Sequence, residues 1–240
     1  MKLSPLIGIT LDWQESGTFS KRPHYALRHH FFDAVRAAGG IPVGIPYEFA
    51  LLPEYTARLD GLLTPGGNFA SPLEWYVPSE DPLPYKPSPR LDFDLAIIEQ
   101  MLSVGKPVLG ICAGMQLLAG LFKCKMTRNV HKYHNTKIDY LNEKPAEEYA
   151  YQVDITKNTL LSSIVGDEKL DVNTAHREAV VEVPDNVIIN ARSPEGVIEG
   201  IELPEYEFAL GVQWHPEFFV SEETRHKKIF NAFIQKAANS

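Results

Sequence analysis

The chain has 240 residues, 44% of them hydrophobic and 22% charged, with a formal net charge of −8 at pH 7. Those values fit one folded unit over residues 1–240 with a substantial core, and they argue against a disordered chain and against a nucleic-acid surface. No apolar run reaches the roughly 18 residues of a membrane span, the N-terminus lacks a signal peptide's apolar stretch, and Cys112 and Cys124 are too few for a disulfide framework, so a reduced, cytoplasmic protein is expected.

Short runs of Ile, Val and Leu alternate with amphipathic segments, which predicts an α/β fold with helices on both faces of a mostly parallel sheet. A first strand is expected at Leu6 to Leu11. A helix should follow from Pro23 to Ala38, with Leu27, Phe31, Ala34, Val35 and Ala38 on one face and Gly39-Gly40 as its stop. Ile41 to Ile45 reads as a strand, Phe49 to Arg58 as a short helix, and Gly61 to Thr64 as a strand ending in Pro65-Gly66-Gly67. Residues 68–91, with six prolines, form a stiff irregular segment long enough to act as a lid, in which Trp75, Tyr76 and Tyr85 either line a pocket or pack the segment down. Asp92 is expected to cap a helix to about Ser103, followed by a strand at Val108 to Ile111 and a helix from Ala113 to about Phe122. Between 136 and 202 the pattern turns to strands and turns, with a hairpin joining Val187–Ala191 to Gly196–Ile201. Ala209 to Trp214 is a last buried strand, and Ser221 is expected to cap a closing helix faced by Ile229, Phe230, Phe233 and Ile234.

Gly110-Ile111-Cys112-Ala113-Gly114 places a thiol where a strand turns sharply into a helix. Free N–H groups and the positive end of the helix dipole there favour the thiolate. A thiol attacking an acyl group needs a base, and the base needs an orienting group; His215-Pro216-Glu217 offers both, because residues two apart on an extended segment point the same way. The oxyanion formed in such an attack needs backbone donors, which Gly67, in the Pro-Gly-Gly turn, and Ala113 can supply. His131 and His134 lack partners at zinc-site spacing, His29-His30 read as a solvated helix edge, and Cys124 reads as a packing residue.

With Pro65-Gly66-Gly67, then Gly110 to Gln116, then Gly211 to Glu217, the chain resembles the class I glutamine amidotransferases over nearly its whole length. Among them it is most similar to the stand-alone γ-glutamyl-γ-aminobutyrate hydrolases. The Pro-rich segment, Asp92 ahead of its helix, Gly105 to Cys112, and Ala191 to Gly200 carry that likeness. The resemblance implies a flavodoxin-like three-layer α/β/α fold and a triad of Cys112, His215 and Glu217 acting through a thioester. It implies no metal or organic cofactor, and it places Gly66, Gln116 and His176 on the substrate. The activity it implies is hydrolysis of a small γ-glutamyl amine, of the kind met in polyamine catabolism. Two positions depart from the pattern: Ala113 replaces an arginine common after the nucleophile, and Asn173-Thr174-Ala175-His176-Arg177-Glu178 carries Glu178 in place of a glutamine. The alternative is a glutaminase subunit passing ammonia to a separate synthetase partner. A peptidase or deglycase is disfavoured by the His-Pro-Glu arrangement, and a binding protein without activity by the intact triad. A synthetase and a second copy of the chain are the protein partners left open; nucleic acid and membrane are not expected.

Overall fold

The computed structural model describes residues 3–67, 71–78, 89–142, 144–166, 168–221 and 223–240. In chain order its strands and α-helices are β1 (Leu6–Thr10), β2 (Asp12–Gln14), β3 (His24–Ala26), α1 (His29–Ala37), β4 (Ile41–Ile45), α2 (Leu52–Arg58), β5 (Gly61–Thr64), α3 (Pro89–Ser103), β6 (Val108–Ile111), α4 (Ala113–Leu121), β7 (Lys125–Thr127), α5 (Val130–His134), β8 (Tyr151–Ile155), α6 (Leu160–Val165), β9 (Leu170–Val172), β10 (Ala179–Glu182), β11 (Ile188–Arg192), β12 (Ile198–Glu202), β13 (Ala209–Val212) and α7 (Arg225–Ala237). Among the described residues no helix is long and apolar enough to cross a membrane.

The main sheet runs β4-β1-β5-β6-β13-β12-β11-β8-β9. Its first five strands are parallel, and β12, β11, β8 and β9 extend it with antiparallel pairing. Successive side chains of a strand point to opposite faces, and the parallel strands use both. Ile7, Leu63, Leu109 and Leu210 pack with Phe31 and Val35 of α1 and Phe230 and Phe233 of α7. Their neighbours Leu62, Val108 and Ala209 pack on the other face with Ile97, Ile98 and Met101 of α3 and Met115 and Leu118 of α4. The result is the α/β, three-layer arrangement expected, with the hairpin β11–β12 also as expected.

Three element boundaries differ from the sequence reading. The helix expected from Pro23 begins only at His29, because His24–Ala26 pairs antiparallel with Asp12–Gln14. Leu27 still packs against the core edge, and Gly39, at φ +94, ends the helix as anticipated. The helix α3 opens at Pro89, whose fixed φ suits a first turn, so Asp92 lies inside that turn and not at the cap. At α7 the cap is Thr224, whose hydroxyl accepts from Lys227 N–H at 3.1 Å; Ser221 lies before the helix. Of the long segment, 68–70 and 79–88, with Tyr85, lie outside the described residues. Trp75 is buried in the core against Gly120, where an added Cβ would come within 2.4 Å of its ring.

The approach of α4 to β5 depends on one glycine: a Cβ on Gly114 would lie 2.0 Å from the carbonyl oxygen of Thr64. Gly114→Ala must therefore push the helix start away from the sheet, and it is expected to lower stability by about 1–3 kcal/mol. Gly17→Ala, whose Cβ would make an ordinary 3.6 Å contact with His24, should cost less than about 0.5 kcal/mol. Denaturant melts of the two variants check this; equal losses would show that the close approach does not matter.

Candidate active site

At the end of β6 the chain reverses into α4 through Cys112, which adopts φ 54 and ψ −107. A non-glycine residue held there costs about 1–3 kcal/mol and persists only where its surroundings fix it. Two backbone bonds do so: Cys112 N–H donates to Val212 O of β13 at 2.8 Å, and Cys112 O accepts from Gln116 N–H at 3.2 Å. Gly110 gives the turn its space, since a Cβ there would lie 2.6 Å from Gly114 O. The thiol thus stands over the first turn of α4.

His215 follows β13, but Glu217 does not continue an extended segment as expected. Pro216 opens a single 3-10 turn, Pro216–Phe219, and this turn brings the carboxylate back onto the ring, with Glu217 Oε1 2.8 Å from His215 Nδ1. Asn173 clamps the backbone of His215 from both sides. Its Oδ1 accepts from His215 N–H at 2.8 Å, and its Nδ2 donates to His215 O at 3.1 Å. Burial opposes the imidazolium, yet the charges of Glu217 and Cys112 outweigh it and lift His215 to about 10. At Cys112 burial likewise opposes ionisation, and the charge and hydrogen bond of His215 overcome it, leaving the thiol below its ordinary value. Both directions favour a thiolate–imidazolium pair at neutral pH. Cys124 shows the contrast: burial without such a partner pushes its thiol up to about 12.

The Pro65-Gly66-Gly67 turn lies across from this pair. A Cβ on Gly66 would sit 2.7 Å from His215 Cε1 and 3.3 Å from Cys112 Cβ, so only glycine lets the turn come this close. Gly67 is at φ +149, and a Cβ there would meet Arg90 Nη1 at 2.0 Å. Arg90 itself is fully buried. It donates to Pro65 O at 2.6 Å, to Asp12 Oδ1 at 3.2 Å and to Asp94 Oδ2 at 3.1 Å, and Asp94 also accepts from Thr10 Oγ1 at 3.2 Å.

Two clefts meet at Cys112 and Gly67. The described lining of the larger, about 550 Å³, includes Asp12, Gln14, Arg28, Gly66 and His215. The smaller, about 280 Å³, is lined by Ala113, Gln116, Arg128, His176, Arg177 and Glu178 among others. Gln116 donates to Glu178 O and to Gln213 Oε1, each at 3.3 Å, and Gln213 Nε2 lies 3.6 Å from Cys112 Sγ. His176 is buried against Glu199, 3.4 Å away, whose charge outweighs burial and raises the imidazole above its ordinary value. The Tyr76 hydroxyl donates to Glu178 at 2.5 Å, and Arg128 stacks 4.3 Å over the Tyr76 ring. Ala113 leaves its part of the wall uncharged, while Arg128 and Arg177 supply cations to the same cleft. His131 and His134 belong to α5, and among the described residues no cluster of three His, Cys, Asp or Glu side chains could hold a metal ion.

Sequence reasoning did not find Asp12, Gln14, Arg28, Arg90 or Glu199. The available signal for Arg90 was its spacing of four from Asp94 on an otherwise apolar helix face. Arg28 leaves no comparable trace, since the sequence pattern runs a helix through it and the helix in fact starts after it.

The ion pair has a direct readout in the pH dependence of Cys112 alkylation by iodoacetamide. Reactivity should persist below the 9.0 of an ordinary thiol and fall only as pH drops through the lowered value of Cys112. In His215→Ala burial is opposed by the smaller effect of His176, and the profile should move to higher pH; an unmoved profile would show that His215 does not set the thiol.

The chain is similar to known proteins over most of its length. The chain is 28% identical to a glutamine amidotransferase-like protein of Rickettsia prowazekii, over 98% of each chain. It is 30% identical to protein NtpR of Enterococcus hirae, over 97% of this chain and 99% of that one. It is also 28% identical to the γ-glutamyl-γ-aminobutyrate hydrolase PuuD of Escherichia coli, over 87% and 85%. Among solved structures, one described as a GMP synthase subunit from Thermoplasma acidophilum shares the fold, with a TM-score of 0.63 at 20% identity over 98% of this chain and 95% of that one. Residues 5–217, a span holding the Gly-Gly turn, the cysteine elbow and the His-Pro-Glu turn together, match Peptidase C26, and the chain belongs to that family of class I glutamine amidotransferase-like proteins.

Proposed function

We propose that the chain is a cysteine hydrolase that cleaves the γ-glutamyl amide bond of a small γ-glutamyl amine. The observation that carries this reading is the thiol of Cys112, paired with His215 and placed where two clefts of different chemistry meet. The smaller cleft offers both signs of charge, Glu178 against Arg128 and Arg177, together with Gln116 and His176. Such a wall suits the zwitterionic head of a glutamyl group. Identity to PuuD, whose name specifies a γ-glutamyl amine, supports the same class.

On this reading the Cys112 thiolate attacks the γ-carbonyl carbon, and the carbonyl oxygen takes up the electron pair as an oxyanion held by the N–H groups of Gly67 and Ala113, with Gly66 shaping the approach. Collapse breaks the C–N bond, and His215 gives its proton to the departing nitrogen. Water then attacks the thioester, His215 takes the water's proton, and glutamate leaves as the thiolate is regenerated. Glu217 holds the ring throughout and balances its positive charge whenever His215 carries the proton.

Purified wild type is expected to release glutamate from γ-glutamyl amines. Cys112→Ala should retain the fold by circular dichroism and lose at least about 10³-fold in kcat. Turnover confined to glutamine would instead favour a glutaminase subunit serving a synthetase, and an active Cys112→Ala protein would overturn the mechanism. Glu217→Gln keeps the shape and removes the charge, so kcat should fall by about 10³–10⁴-fold with little change in KM. A change confined to KM would place Glu217 outside the triad.

A further inference from the structure

The two clefts are not equivalent with respect to proton transfer. His215 lines the larger cleft and is absent from the described lining of the smaller one. A leaving nitrogen must come within hydrogen-bond reach of the acid that protonates it. On the γ-glutamyl amide reading, then, the glutamyl part occupies the smaller cleft and the leaving amine points into the larger.

Among the described residues lining the larger cleft, two side chains outside the Cys112–His215 pair carry charge, Asp12 and Arg28. Asp12 is already engaged: Oδ1 accepts from Arg90 and Oδ2 from Gln14 Nε2 at 2.8 Å. Arg28 is not. Its Nη2 is 3.5 Å from Glu217 Oε1, at the outer limit of a hydrogen bond, and 3.3 Å from His215 Nδ1. With the Nδ1 proton directed to Glu217, that nitrogen has no lone pair to offer, so the second approach is no hydrogen bond. The guanidinium is held by stacking over the rings of Phe31 and Phe218, at 5.4 and 5.2 Å, and its side chain is 48% exposed. An arginine positioned by aromatic faces with donors to spare is suited to a planar carboxylate taken in two parallel bonds.

We infer that Arg28 is a specificity-determining residue, which binds the carboxylate of an anionic leaving amine, so that the substrates are γ-glutamyl amides of small amino acids or ω-amino acids. The ring of His215 lies between the thiol and Arg28, which keeps the amine's nitrogen at the acid while its far end reaches the guanidinium.

The test uses three amides of equal length, the γ-glutamyl derivatives of γ-aminobutyrate, n-butylamine and putrescine, which end in an anion, a methyl and a cation. Wild type should prefer the anion over the neutral amide by about tenfold or more in kcat/KM, and disfavour the cation. Arg28→Gln should bring the anion-to-neutral ratio close to one, chiefly through KM for the anionic amide. Arg28→Glu should reverse the order of anion and cation. Alkylation of Cys112 by iodoacetamide in each variant checks that the site is formed. An unchanged ratio in Arg28→Gln would overturn the inference; so would an equal loss on all three amides, which would mean that Arg28 acts on the His215–Glu217 pair and not on substrate. A wild type that turns over the amides without preference would overturn it and leave the hydrolase reading standing, whereas inactivity on all three would overturn both.

Discussion

Arg90 holds a full charge where no water reaches it, and acceptors from three separate stretches of chain answer that charge: Asp12 after the first strand, Pro65 in the Gly-Gly turn and Asp94 one helical turn along. The cost of burial is visible at Asp94, which burial lifts to about 6 even with the guanidinium beside it. A pair of this kind contributes little net stability compared with apolar side chains of equal volume, but losing one partner strands the other and costs about 3–5 kcal/mol. Its worth is geometric. Lysine, with one charged nitrogen, could not reach three acceptors in a fixed plane. The Gly-Gly turn, the wall formed by Asp12 and the start of α3 are thereby fixed relative to one another.

The strained backbone at Cys112 relies on a different support. Its N–H is bonded to the neighbouring strand β13, the helix behind it cannot slide because Gly114 touches Thr64 O, and His215 leaves that same strand β13. Cys112 and His215 thus follow adjacent parallel strands. Rigid strands place functional groups more closely than loops do, and Asn173 extends this control to His215, which lies beyond the end of β13.

Much of this could be read from the residues alone, and the failures have a common cause. The unbroken apolar pairs Leu62-Leu63 and Val108-Leu109 report strands buried on both faces, and glycines around Cys112 report an elbow, because each is a local requirement on a short run of residues. The β2–β3 hairpin escaped because three-residue strands are too short to show a period, and its pairing is made by backbone groups common to every residue. The start of α3 at Pro89 and the cap of α7 at Thr224 were missed for Asp92 and Ser221, whose short polar side chains carry ordinary capping chemistry. Arg28, Arg90 and Glu199 were invisible for a further reason: charged residues are common, and what distinguishes these is where distant segments meet.

On the proposed hydrolase reading, the meeting of the two clefts at one sulfur also orders events in time. If the acyl group stays in the smaller cleft, the water that releases it has to arrive from the side that the amine has just vacated. A slow-departing amine would then protect the acyl-enzyme from hydrolysis and remain poised to re-form the bond it came from. By the same logic a second amine that reached the larger cleft before water would capture the acyl group, making the balance between hydrolysis and transfer a matter of which enters that cleft first.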